Sequence, residues 1–149
     1  MNIGIMSLRL LLAVVLGGII GIERETSHKP AGLRTNILIC VSSAMMMILA
    51  VLFSGKDAGS QEAMRVAAGV ITGVGFLGAG AIIQARGTVH GLTTASVIWA
   101  VAGLGLAVGA GYYLISIVFT VLVVLILVLL RKIDHTLYKR SEKNRPSGP

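Results

Sequence analysis

Charge is scarce in this chain: Asp, Glu, Lys and Arg make up 13% of its 149 residues, about half the share usual in a soluble domain. With 55% hydrophobic residues and a mean hydropathy of +0.89, a water-soluble fold of this size cannot hide its apolar surface. A bilayer is the expected solvent for most of it. There is one cysteine, Cys40, inside an apolar run, which excludes an intramolecular disulfide. The three prolines all lie outside the apolar runs. His28, His90 and His135 stand far apart, with no Cys or carboxylate at ligand spacing, so no metal site is expected. A Ser–His pair, paired acids within an apolar run and a P-loop are all missing. These absences argue against an enzyme, against a cofactor and against transport driven by the chain's own ATP hydrolysis. The N-terminus has no basic n-region and no A-x-A site, so it does not read as a secretory signal.

Long apolar runs are what the chain has instead. They cover residues 3–22, 37–53 and 66–85, followed by 44 residues, 87–130, without a formal charge. A crossing needs about 20 residues. The last stretch therefore divides at Gly109-Ala110-Gly111 into runs 95–108 and 112–130, with 87–94 as a loop or half-buried turn. The prediction is all-α: a polytopic bundle of about five transmembrane helices over residues 1–130, then a basic tail, 131–149, whose last six residues read as disordered.

With five spans, residues 23–34, 86–94 and the tail share one side and hold ten Lys and Arg. The other side holds Lys56 and Arg65. The positive-inside rule then puts the N-terminus outside and the C-terminus in the cytoplasm, with Tyr112 and Tyr113 at the outer interface. The net charge of +7 has six of its thirteen basic residues in the tail. That is the pattern of anchoring to anionic membrane lipids, and with no basic face carrying aromatics, nucleic acid is not an expected partner.

Several residues are costly in lipid. Arg9 lies two turns into the first run, where a charge costs a few kcal/mol on insertion scales. Arg9, Ala13, Gly17, Gly21 and Glu25 follow at i+4, and Gly17 and Gly21 form a GxxxG, so Arg9 either points into the bundle or snorkels to the near headgroups. In the third run Arg65, Gly69, Thr72, Gly73, Gly80 and Gln84 share a face widened by Gly75, Gly78 and Ala79. Glu62 and Asp57 are the available counter-charges for Arg9 and Arg65. Gly73-Val74-Gly75-Phe76-Leu77-Gly78 matches a nucleotide-binding pattern, but its place in a membrane-length run makes it a packing or helix-breaking feature. Gly103, Gly105, Ala107, Gly109 and Gly111 form a thin surface suited to a partner helix, and Thr93 and Thr94 are candidate caps for the fourth helix. Asn36, Cys40, Ser43 and Met47 share a face of the second helix, as interhelical glue or as a polar site. The fifth run shows no polar face and reads as the most lipid-exposed.

Five segments, in order, resemble the N-terminal membrane domain of the MgtC/SapB family: Gly21-Ile22-Glu23-Arg24-Glu25, Lys29-Pro30-Ala31-Gly32-Leu33-Arg34-Thr35, Arg65-Val66-Ala67-Ala68, Gly75-Phe76-Leu77-Gly78-Ala79-Gly80 and Gly91-Leu92-Thr93-Thr94-Ala95. The resemblance covers roughly residues 9–113. It implies a bacterial inner-membrane protein linked to magnesium homeostasis and, in pathogens, to survival inside host cells. Longer members carry a soluble C-terminal domain whose functions are not expected in this short chain. Two positions depart from the family pattern: Gly69 stands where Gln is usual, and Val41-Ser42-Ser43-Ala44 replaces a Gly-Ser-Ala.

The predicted topology brings residues 23–35 and 91–94 to the cytoplasmic mouth, with 75–80 in the inner half of its helix. This is the pattern of a site and equally of a packed helix–loop corner. As a site, Glu23 and Glu25 supply negative charge, Arg24 and Arg34 organise it, and Thr35, Asn36, Thr93 and Thr94 are the polar groups beside them. Two functions remain in contention. One is a membrane factor acting through a homo-oligomer or other membrane proteins. The other is a small transporter or channel, for which the apolar runs offer Arg9 but no Asp or Glu to bind a passing cation.

Overall fold

The computed structural model describes residues 2–53, 59–85 and 88–143. Five helices carry the apolar runs: α1 (Ile3–Thr26), α2 (Leu33–Phe53), α3 (Gly59–Gly80), α4 (Leu92–Ala110) and α5 (Tyr113–Lys143). All five are long and apolar enough to cross a membrane. Only helices satisfy every backbone polar group within a single span in lipid, which is why runs of this length become helical whatever their side chains.

The boundaries differ from expectation between α3 and α4. The third helix stops at Gly80, and the apolar residues after it form a hairpin of β1 (Ile83–Ala85) and β2 (Thr88–His90), antiparallel with Ile83 opposite His90. Hydropathy could not distinguish these residues from a continued helix. The fourth helix starts at Leu92, so Thr93 and Thr94 lie in its first turn and are not its caps. The cap position is Gly91 at φ +91°, and no side chain caps there. A β-carbon on Gly91 would run into the carbonyl oxygen of Ala81. The fifth helix runs through the basic segment to Lys143. The expected disorder of 144–149, and the readings of Lys56, Asp57, Arg86 and Gly87, lie outside the described residues.

The second helix sits between α1 and α4. In lipid, helices associate through close packing rather than through expulsion of water. Glycine provides the closeness on both sides. A β-carbon at Gly17 would stand 2.7 Å from Cys40 Cβ, and one at Gly21 2.8 Å from Leu33 Cα. From the other side, one at Gly105 would strike the Cys40 carbonyl oxygen, and one at Gly109 would stand 2.9 Å from Met47 Cβ. The core follows: Ala13, Leu16 and Ile20 of α1, Cys40 and Ala44 of α2, and Val97, Val101, Leu104 and Val108 of α4, closed by Leu127 of α5.

The glycine face of α4 is therefore not a free surface for a partner, because Gly105 and Gly109 are filled by α2. Gly103 of α4 and Gly4 of α1 are open singly, but the open glycines cluster on α3, where a β-carbon placed on Gly69, Gly73, Gly75 or Gly80 would meet nothing within 4 Å among the described residues. Among the described side chains of α3 only Gly78 is buried. The helix leans on the bundle through Val66 and Val70, against Met47, Ala50 and Leu106. This makes α3, not α5, the most lipid-exposed element. The fifth helix does have polar groups facing inward: Ser116 and Thr120 are buried, their hydroxyls donating to the carbonyls of Tyr112 (2.6 Å) and Ser116 (2.9 Å).

These contacts separate two substitutions that look alike in sequence. Gly105→Ala should destabilise the folded protein by about 1–3 kcal/mol through overpacking. Gly73→Ala should be neutral or stabilising by up to about 1 kcal/mol through helix propensity. Thermal unfolding of both variants in detergent checks the contrast.

Candidate functional site

The two ends of the bundle deal with their charges differently. At one end, Arg9 reaches the C-terminus of α4. Its Nη1 donates to the Gly109 carbonyl at 2.6 Å, its Nε donates to the Tyr113 hydroxyl at 3.0 Å, and its guanidinium lies 5.9 Å from the centroid of that ring. A helix C-terminus presents unsatisfied carbonyls and a partial negative charge, so it can stand in for a carboxylate. Gly111, at φ +97°, turns the chain here and leaves room that the guanidinium fills. Arg9 thus points into the bundle, toward backbone rather than toward Glu62. Glu62 pairs with Arg65 at 3.1 Å on the exposed start of α3.

At the opposite end the α1–α2 loop is held from both flanks. His28 and Ala31 take positive φ angles of 51° and 56° to make the turn. From α1, the Glu25 carboxylate accepts the Leu33 N–H at 2.9 Å and so caps the N-terminus of α2. It lies over Gly32, where any β-carbon would collide with it. From α2, the fully buried Asn36 donates Nδ2 to the carbonyls of Ala31 and Gly32. Glu25 and Asn36 are therefore engaged in holding the loop. The Asn36 Oδ1 is left buried without a partner.

Glu23 and Arg24 are also buried, at 8% and 3% exposure, and paired at 2.7 Å. The second Glu23 oxygen accepts from Ser27 at 2.7 Å and lies 3.8 Å from Arg131 of α5, which also donates to the Ser27 hydroxyl. One carboxylate thus serves two arginines. Beside them a cleft of about 610 Å³ opens between the loop, the hairpin, the first turn of α4 and the far half of α5. Its polar lining includes Arg24, Lys29, His90, Thr93, Thr94 and Arg131.

Of the residues expected at this mouth, the structure gathers Glu23, Arg24, Thr93 and Thr94. Glu25 and Asn36 lie just behind, in the loop. Arg34 and Thr35 are exposed on the first turn of α2 and do not line the cleft. The 75–80 segment packs on α4 at Gly78, against Ala95, and does not line the cleft. Sequence reasoning missed Lys29, His90 and above all Arg131 as cleft residues. The positive end of the fifth run is visible in the sequence, but its charge alone points to lipid anchoring. Among the described residues no group of three or more His, Cys, Asp or Glu comes together as a metal site.

A five-helix polytopic membrane bundle with a charged cleft at one end is the class that these features define. Within that class, the MgtC family profile matches residues 10–136, and the chain belongs to the MgtC family. It is 44% identical over 111 residues to protein SapB of Bacillus subtilis, covering 71% of this chain and 48% of that one. It is 41% identical over 125 residues to protein MgtC of Brucella abortus, covering 84% and 51%. It is 38% identical over 138 residues to the putative magnesium transporter YhiD of Escherichia coli, covering 90% and 64%. The chain thus spans between about half and two thirds of the length of these relatives. No solved structure matches it.

The charged clusters predict distinct losses. Glu23→Gln leaves two arginines without their shared carboxylate and should cost about 3 kcal/mol. Arg9→Leu removes two charge-assisted hydrogen bonds at the far end and should cost about 2 kcal/mol. Unfolding of the purified variants measures both, and additivity in the double variant is expected because the clusters lie at opposite ends of the bundle.

Proposed function

We propose that this chain is a non-catalytic, multi-pass protein of the bacterial inner membrane that adjusts magnesium balance by docking onto another membrane protein. The setting this implies is adaptation to magnesium scarcity, including scarcity met inside a host. Magnesium enters through the relatives, one of which is described as a putative magnesium transporter. The observation that carries the docking half of the reading is α3. Gly69, Gly73 and Gly80 fall on one face by helical spacing, and a β-carbon on any of them would meet nothing within 4 Å among the described residues. Apolar grooves flank the helix, one bordered by Leu38, Ser42 and Val70 and the other by Ala79, Ser96 and Trp99. Small residues beside shallow apolar grooves suit close approach by another transmembrane helix, from a second copy or from a different protein.

Direct magnesium passage through one subunit has less support. Between their charged ends the helices carry no Asp or Glu, and magnesium is commonly held by carboxylates and water. The carboxylates at the charged end are already engaged, Glu23 by Arg24 and Glu25 by a backbone N–H. Transport of a different ion or a small polar solute is the second reading, favoured by the cationic cleft.

A photo-cross-linker at position 73 should capture a discrete membrane protein or a second copy of the chain. Gly73→Ile should abolish rescue of a deletion strain at low magnesium while leaving protein levels unchanged. Full rescue by Gly73→Ile would count against docking through α3. Purified protein in liposomes is expected to give no magnesium flux; flux lost in Arg9→Ala would favour the transport reading. In a Cys40→Ala background, cysteines placed at Lys29 and Lys139 should both label from the cytoplasm.

A further inference from the structure

The cleft beside Arg24 has the features of a ligand site that neither the docking face nor the packing of the bundle uses. Its volume, about 610 Å³, is that of a small-molecule pocket. One side is the first turn of α4. Among the described residues the N–H groups of Leu92, Thr93 and Thr94 have no backbone acceptor, and no side chain caps this end of the helix. A 19-residue helix with an uncapped N-terminus attracts anions through its free N–H groups and its dipole.

Two deeply buried side chains lining the same cleft hold polar groups without partners. Arg24 is 3% exposed. Its Nε is occupied by Glu23, while Nη1 and Nη2 have no partner among the described residues. Thr94 is 4% exposed, and its hydroxyl has no partner among the described residues either. These free donors are not sealed in, as Asn36 Oδ1 is; they open onto the cleft, where a bound group can reach them. The charged side chains described in the lining are all basic. Arg24, Lys29 and Arg131 line the cleft, and among the described side chains the carboxylate in contact with them is Glu23, already bonded to Arg24 and Ser27. Glu25 is held by the Leu33 N–H and is not part of the lining. A cation would be repelled here, whereas an oxyanion would meet donors on two sides.

We propose that this cleft binds a phosphate group. The oxygens sit between the guanidinium of Arg24, the hydroxyl of Thr94 and the first-turn N–H groups of α4, with Lys29 and Arg131 completing the charge. The remaining wall is apolar, formed by Leu92, Ile126, Leu127 and Leu130, and it can carry the organic part of a phosphate compound. An anionic phospholipid headgroup and a soluble phosphate present the same chemistry to these donors. The proposal rests on this geometry alone and stands or falls separately from docking through α3.

Calorimetric titration of the purified full chain in phosphate-free buffer tests it, with three probes: inorganic phosphate, dioctanoyl phosphatidylglycerol, and dioctanoylglycerol as the control without phosphate. Saturable 1:1 binding of inorganic phosphate identifies a soluble source, and binding of the phospholipid alone identifies a lipid source; either supports the site. Dioctanoylglycerol should not bind. Thr94→Val, which keeps shape and charge, should weaken binding by roughly fivefold to tenfold, the worth of one hydrogen bond to a charged group. Lys29→Gln should weaken it several-fold, more at low salt than at high. Arg24→Gln should abolish it, and if that variant does not fold, Thr94→Val and Lys29→Gln decide. Absence of saturable binding to both phosphate probes overturns the proposal, as does binding that these variants leave unchanged.

Discussion

The approach of α1 and α4 to opposite sides of α2, close enough that Cys40 lies between Gly17 and Gly105, is the constraint on which the other features depend. Lipid supplies no hydrophobic force between helices, so contact must come from surfaces that fit at backbone distance. Glycine at these positions removes the atoms that would hold the helices apart. With α1 and α4 fixed on the same central helix, Arg9 arrives at the C-terminal carbonyls of α4. Glu23 and Arg24, near the far end of α1, arrive beside its N-terminus, where the cleft they share with α4 opens.

The fourth helix is thus met by α1 at both of its poles. Its negative end receives an inward-facing arginine and needs no carboxylate there. Its positive end, capped by Gly91 without a side chain, is left facing a cleft whose only contacting acid among the described residues is already shared between two arginines. Electrostatically the ends are not equivalent: the Arg9 end is closed and structural, while the Arg24 end keeps donors in reserve. The third helix stands outside this arrangement, resting on its edge with a glycine face turned to lipid. Packing, anion attraction and partner contact therefore fall to different parts of the molecule.

Much of this was legible in the sequence. Apolar runs of membrane length gave five helices, and five ordered segments pointed to the family. The 23–34 and 86–94 segments are expected on one side because two spans, 37–53 and 66–85, separate them. What escaped did so for identifiable reasons. The partner of Arg9 is a backbone terminus, and a search for counter-charges finds only side chains such as Glu62. Glycine rows on α1, α3 and α4 look alike in sequence. Only the fold shows that Gly105 and Gly109 are filled by α2 while Gly69 and Gly73 remain open. Ile83, Gln84 and Ala85 carry no mark that separates the end of a helix from a short strand, so the hairpin was unseen. Glu25 and Asn36 looked like site residues because they are polar and close to charge. They are instead bonded to the loop that positions the site.

The central packing can be measured at a single residue. Cys40 is the chain's one cysteine, and α2 contains no glycine, so any glycine near Cys40 belongs to another helix. Protein labelled with carbonyl-¹³C cysteine and α-¹³C glycine, embedded in bilayers, should give a through-space solid-state NMR cross-peak between the Cys40 carbonyl and a glycine α-carbon. A Cys40 carbonyl with no glycine neighbour would contradict the arrangement of α1 and α4 around α2.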